Sequence, residues 1–96
     1  MPELKIKCQN PESLKIFFQD MVKKELSLIS SSIKRTEKRL LEFEAKYHLS
    51  TNEFLQKYEN DEFEETLELD EWIGESIMLE RLRKELEIYK GVDFAD

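Results

Sequence analysis

The chain has 96 residues, 39 % charged and 40 % hydrophobic, with two glycines, two prolines, one cysteine and a net charge of −7. That size suits one domain spanning 1–96 with a modest core, and so few turn residues favour long amphipathic helices. A single cysteine excludes an internal disulfide, and no apolar run approaches the length of a membrane-spanning helix. The opening Met-Pro-Glu-Leu-Lys-Ile-Lys has no apolar leader, so the expectation is a soluble, cytoplasmic protein. Residues 1–48 carry 10 Lys and Arg against 7 Asp and Glu (+3), and residues 49–96 carry 5 against 15 (−10). The acidic second half repels phosphate and argues against direct nucleic-acid binding. It suits packing on the basic half, in the same chain or a neighbour, and would equally serve solubility.

Residues 3–8, Glu-Leu-Lys-Ile-Lys-Cys, alternate charged and apolar. Residues 1–9 therefore read as an extended arm or short strand presenting Leu4 and Ile6, or as an unstructured terminus. A lone strand has no sheet in this chain, so it would pair with its own copy or a partner's sheet edge.

Asn10-Pro11-Glu12 is a helix start. Asn accepts from free amides, Pro fits the first turn, and Glu suits the positive dipole end. The spacing predicts a long helix over 11–47. Its seam is Val22, Leu26, Ile29, Ile33, Thr36, Leu40, Phe43 and Tyr47, recurring in steps of four and three. At 1.5 Å per residue such a rod reaches roughly 55 Å. An extra apolar set, Leu14, Phe17, Phe18, Met21 and Leu28, lies on more than one face of its first half. Either another helix of the same protein or a second protein covers it. Ser30-Ser31-Ser32 permits a bend or a close helix crossing, though without Pro or Gly the helix is read as continuous. Lys34, Arg35, Lys38 and Arg39 form a basic strip. With no aromatic interleaved, it reads as a solvated or salt-bridged face rather than a nucleic-acid site.

Lys46-Tyr47-His48 ends the helix. His48, the only histidine, has no His or Cys spaced to join it in a metal site, and reads as the stop residue. Ser50-Thr51-Asn52-Glu53 is a capping box, with Leu49 placed to staple onto Phe54, and opens a short helix over 51–60. Eight of the thirteen residues from Glu59 to Glu71 are acidic. They lack the glycine and ligand spacing of a calcium loop, which leaves a solvated linker or a surface facing a basic partner, with Glu62, Glu64 and Glu65 as its centre. A final helix over 66–90 carries the seam Trp72, Leu79, Leu82, Leu86 and Tyr89, with Ile73, Ile77 and Ile88 beside it, and Gly91 closes it.

The fold expected is therefore all-α: a long N-terminal helix, a short elbow helix and an antiparallel C-terminal helix forming a helical hairpin or coiled coil. The return helix is shorter than the rod, so the half from Leu14 to Ile29 is expected to stay uncovered within the chain. No nucleophile–base pair, phosphate loop or metal cluster is present, so no enzyme, no cofactor and no metal are expected.

Leu40-Leu41-Glu42-Phe43-Glu44-Ala45-Lys46-Tyr47-His48-Leu49-Ser50-Thr51-Asn52-Glu53-Phe54, continuing to Asp70-Glu71-Trp72, resembles a family of small prokaryotic helical proteins. That family's pattern is an aromatic–acidic pair, Lys-Tyr-Gly, an apolar residue, a Ser/Thr-rich cap, Glu-Phe, an acidic loop and an acidic residue before Trp. The resemblance spans roughly 38–90, more loosely the first third. The chain departs at His48, where the family usually has Gly, and in an acidic loop without glycine. Family members are encoded beside toxin-like proteins and look like the antitoxin half of toxin–antitoxin pairs. The resemblance implies a protein that binds and neutralises a cognate toxin-like partner. The expected partner-binding residues are Leu4, Ile6, Leu14, Phe17, Phe18, Met21 and Leu28, with Glu62, Glu64 and Glu65. The alternative is a homo-oligomeric helical scaffold or adaptor, a dimer or larger, whose uncovered halves pair with each other.

Overall fold

The computed structural model describes residues 10–92, which form three helices: α1 (Pro11–Tyr47), α2 (Thr51–Glu59) and α3 (Leu67–Lys90). Among the described residues there is no strand. The arm with Leu4 and Ile6 lies outside them. α1 spans nearly the whole length of a molecule of 61 × 29 × 21 Å, and α3 folds back along it as a helical hairpin, with α2 as the elbow. The serine run does not interrupt α1.

Each helix begins as its sequence dictates. The Asn10 side chain accepts from the Ser13 amide, with Pro11 in the first turn. Ser50 Oγ accepts from the Glu53 amide at 3.1 Å. The Glu53 carboxylate reaches back, as a capping box requires, but takes the Ser50 hydroxyl rather than its backbone amide. Thr66, read from the sequence as the first residue of the last helix, is its cap: extended, with Oγ1 accepting from the Leu69 amide.

Two turns use the left-handed region without glycine. His48 ends α1 at φ 55°, ψ 39°, and its N–H and that of Leu49 both donate to the Glu44 carbonyl. After α2, Asp61 sits at φ 58°. Its N–H donates to the Tyr58 carbonyl and that of Glu62 to the Lys57 carbonyl, the paired bonds of a Schellman turn. The short polar Asp side chain and the His ring tolerate this conformation better than β-branched or bulky residues do.

The core is concentrated at the elbow, where Leu40, Phe43, Phe54, Leu69, Trp72 and Leu79 are buried together. Trp72 is its wedge. Its indole lies between Phe54 (centroids 3.9 Å apart, planes 5°) and Phe43 (5.4 Å, 9°), with Tyr47 at 5.4 Å. The indole N–H donates to Thr51 Oγ1 at 3.0 Å, and the Thr51 amide donates to Glu44 Oε2 at 2.6 Å. One side chain from each helix thus meets at α2's first residue, which fixes the elbow angle. Leu49 packs on this cluster as the staple predicts.

Ion pairs stitch the hairpin outside the core: Lys46 to Glu68, Arg39 to both Glu71 and Glu42, and Arg83 to Glu37. Arg39, one residue of the basic strip, lies over the Phe43 ring as well. The strip is therefore partly a hairpin clamp; Lys34, Arg35 and Lys38 remain exposed.

The candidate interaction surface

The open end of the hairpin corrects one expectation. α3 has 24 residues and covers more of α1 than the half from Ile33 to Tyr47. Ile29 is buried, and Tyr89, Lys90 and Val92 line a shallow groove with Gln19, Val22, Lys23 and Leu26. The physical reason is register: Trp72 lies level with Phe43 and Tyr47, so eighteen further residues of α3 carry its end back to Leu26 and Val22. What projects past α3 is the first two to three turns of α1.

That projecting end carries the sequence-predicted apolar set. Phe17 is 60 % exposed, Met21 50 % and Phe18 38 %, while Leu14 is half-buried. The two phenyl rings meet edge to face at 6.1 Å. Leu28 is 63 % exposed and lies farther along the helix, on the face shared with Phe17 and Met21 and turned away from α3. Phe17, Met21 and Leu28 thus form a row beside the seam, whereas Leu14 and Phe18 continue the seam itself. Leu4 and Ile6 lie outside the described residues. Charges within this stretch are balanced, with Glu12, Asp20 and Glu25 against Lys15, Lys23 and Lys24.

Glu62, Glu64 and Glu65 stand exposed on the connection between α2 and α3, at the opposite end of the molecule. Of the three, Glu65 acts on Tyr58. Its hydroxyl is held above its ordinary range, first by burial and then by Glu65, Asp70 and Asp61. The acids and the Phe17 row cannot act as one patch, because the hairpin separates them.

Two further apolar surfaces escaped the sequence reading. Beside the elbow, Leu41, Leu55, Ile73 and Ile77 line an open groove of about 650 Å³, bordered by the Glu37–Arg83 ion pair. On the outer side of α3, Leu67, Met78 and Ile88 are exposed, and Ile77, 62 % exposed, stands between that side and the elbow groove, so Ile77 flanks the core seam with Ile73 whereas Ile88 does not. A helix apolar on more than one side has only a weak amphipathic signal, so periodicity sets Ile88 beside the seam and gives no place to Leu67 and Met78.

Among the described residues no three His, Cys, Asp or Glu side chains gather into a metal-binding group, and no helix is long and apolar enough to cross a membrane. Compared with protein families, with curated proteins and with solved structures, the chain matches none.

Proposed function

We propose that the chain is an antitoxin-like interaction protein that binds and neutralises a toxin-like partner by seating the projecting end of α1 on it. The observation that carries this reading is the row Phe17, Met21 and Leu28, each at least half exposed, which starts on the turns of α1 that project past α3 and continues along a side that α3 does not cover. Complete burial of such a side chain is worth about 1.5–3 kcal/mol. Three of them offset only the lower part of the cost of association, so the rest of the contact must contribute. If the partner acts on RNA its site is basic, and the exposed Glu62, Glu64 and Glu65 supply the matching charge and speed the encounter. The family resemblance around the elbow supports the same class.

The test is co-production with the product of the neighbouring gene. Phe17→Ser with Met21→Ser should weaken capture of that product at least about thirtyfold, as loss of an interface hot spot does, and abolish protection of the cells. Charge reversal at Glu62, Glu64 and Glu65 should slow association and flatten its salt dependence. Capture and protection that survive both sets of changes, in variants of unchanged helicity, would refute the reading.

A further inference from the structure

The outer side of α3 carries a second seam, and we infer that it is a docking face for α3 of a second copy, running antiparallel. Leu67, Gly74, Met78, Arg81 and Ile88 fall on one line of that helix, at spacings of seven, four, three and seven, with Glu71 and Glu85 at the intermediate positions and Ile77 beside it. This line is opposite the side that holds Trp72, Leu79 and Leu82 against α1. Leu67 is 89 % exposed, Ile88 70 % and Ile77 62 %, an apolar set that the chain's own fold leaves in water.

Three observations choose a second copy as the occupant. First, the line is symmetric about its centre: Leu67 and Ile88 lie equally far from the Ile77–Met78 pair, as do Gly74 and Arg81. An antiparallel copy with its two-fold axis at Ile77–Met78 therefore sets Leu67 on Ile88, Gly74 under Arg81, and Ile77 against Met78, twice over. Second, charge selects the antiparallel direction. Glu68, Glu71 and Arg83 are engaged by α1. Residues 67–78 then keep the acids Asp70 and Glu75 and no base, whereas residues 79–90 keep Arg81, Lys84 and Lys90 against Glu80, Glu85 and Glu87. The antiparallel direction therefore avoids setting two acidic halves together. Third, Gly74 is in mid-helix, where glycine is about 1 kcal/mol worse than alanine. A methyl group there would meet nothing within 4 Å, so the chain's own packing gives no reason for glycine. A partner's Arg81 stem crossing that position does, and places the guanidinium beside Asp70. In the free chain Arg81 instead donates to its own Met78 sulfur and lies 4.0 Å from Glu85. Contact along these six turns covers on the order of 1,000 Å² on the two copies together, the lower bound for a specific interface.

The assignment is independent of the toxin-like partner, whose docking row is on α1. It is tested by sedimentation of the full chain over a range of concentrations. A concentration-dependent dimer is expected, weakened at least about thirtyfold by Ile77→Glu, which sets two carboxylates at the axis while leaving circular dichroism unchanged. Direction is read by disulfide trapping in chains with Cys8→Ser: mixing Leu67→Cys with Ile88→Cys should give the mixed disulfide in preference to either like pair. A chain that stays monomeric overturns the assignment. So does a dimer indifferent to Ile77→Glu, or trapping dominated by the Leu67→Cys like pair.

Discussion

At the scale of single residues, the two turns are where local chemistry and backbone geometry disagree most. His48 and Asp61 both occupy a left-handed conformation that non-glycine residues enter at an energetic penalty. Both lie where the resembled family carries glycine or where this chain's loop lacks one. The His48 backbone makes its helix-ending hydrogen bond without help from the ring, which is exposed. His48→Gly should therefore stabilise the protein by about 0.5–1 kcal/mol, the relief of steric strain less the added freedom of glycine in the unfolded chain. A urea titration followed by circular dichroism would register this as a higher midpoint at unchanged slope. A lower midpoint would mean that the ring itself holds the turn.

At the scale of elements, the helices are specified by their ends and joined by a few ion pairs. Asn10, Ser50 and Thr66 each satisfy an amide that helix geometry leaves open. Between α1 and α3, the Lys46–Glu68 bond holds the Glu68 carboxyl below its usual range and the Lys46 ammonium above its own, because each hydrogen-bonds the charged form of the other. The signs follow by linkage. Stability from Glu68 is present above the ordinary carboxylate value and lost as pH falls through its lowered value. Stability from Lys46 is present below the ordinary lysine value and lost only as pH rises through its raised one. Both side chains are well exposed, so the contribution is small and salt-sensitive. Glu68→Gln should therefore unfold at slightly lower urea than the parent at neutral pH, and the gap should close in acid. A gap that persists once the Glu68 carboxyl of the parent is protonated would show that Glu68 acts through packing.

For the whole molecule, stability is distributed unevenly along the hairpin. The three largest fully buried side chains, Trp72, Phe43 and Phe54, stack at the elbow, while the open end has half-buried Val22, Leu26, Leu86 and Tyr89. Trp72→Ala should cost about 3–5 kcal/mol, a large share of the 5–15 kcal/mol that holds a domain together. It also strands the Thr51 hydroxyl that orients α2. Tyr89→Ala, at the half-buried open end, should cost much less. Denaturant unfolding of the two variants measures the contrast, and equal losses would mean that the open end is as well packed as the elbow. An open end of this kind leaves Phe17 and Met21 in water, as the outer side of α3 leaves Leu67, Ile77 and Ile88.

The three helices, the caps at Asn10 and Ser50 and the stop at His48 were legible because they depend on neighbours three or four positions away: Asn10 with Ser13, Ser50 with Glu53. The Thr66 cap was not, because the acidic run around it masks where the last helix begins. The exposed position of Phe17 and Met21 was legible too, since five apolar residues on more than one face of one helical stretch exceed what a single neighbouring helix covers. The register of the return helix was not. It is decided by Trp72 wedging between Phe43 and Phe54, a contact across three separate stretches of chain, and it carries α3 far enough to bury Ile29. The inward side of α3 was legible in the seam of Trp72, Leu79 and Leu82, but the fate of its other apolar residues was not: Leu67, Ile77 and Ile88 stay in water. Sequence periodicity records the apolar sides of a helix; only packing against α1 decides how much of each leaves water.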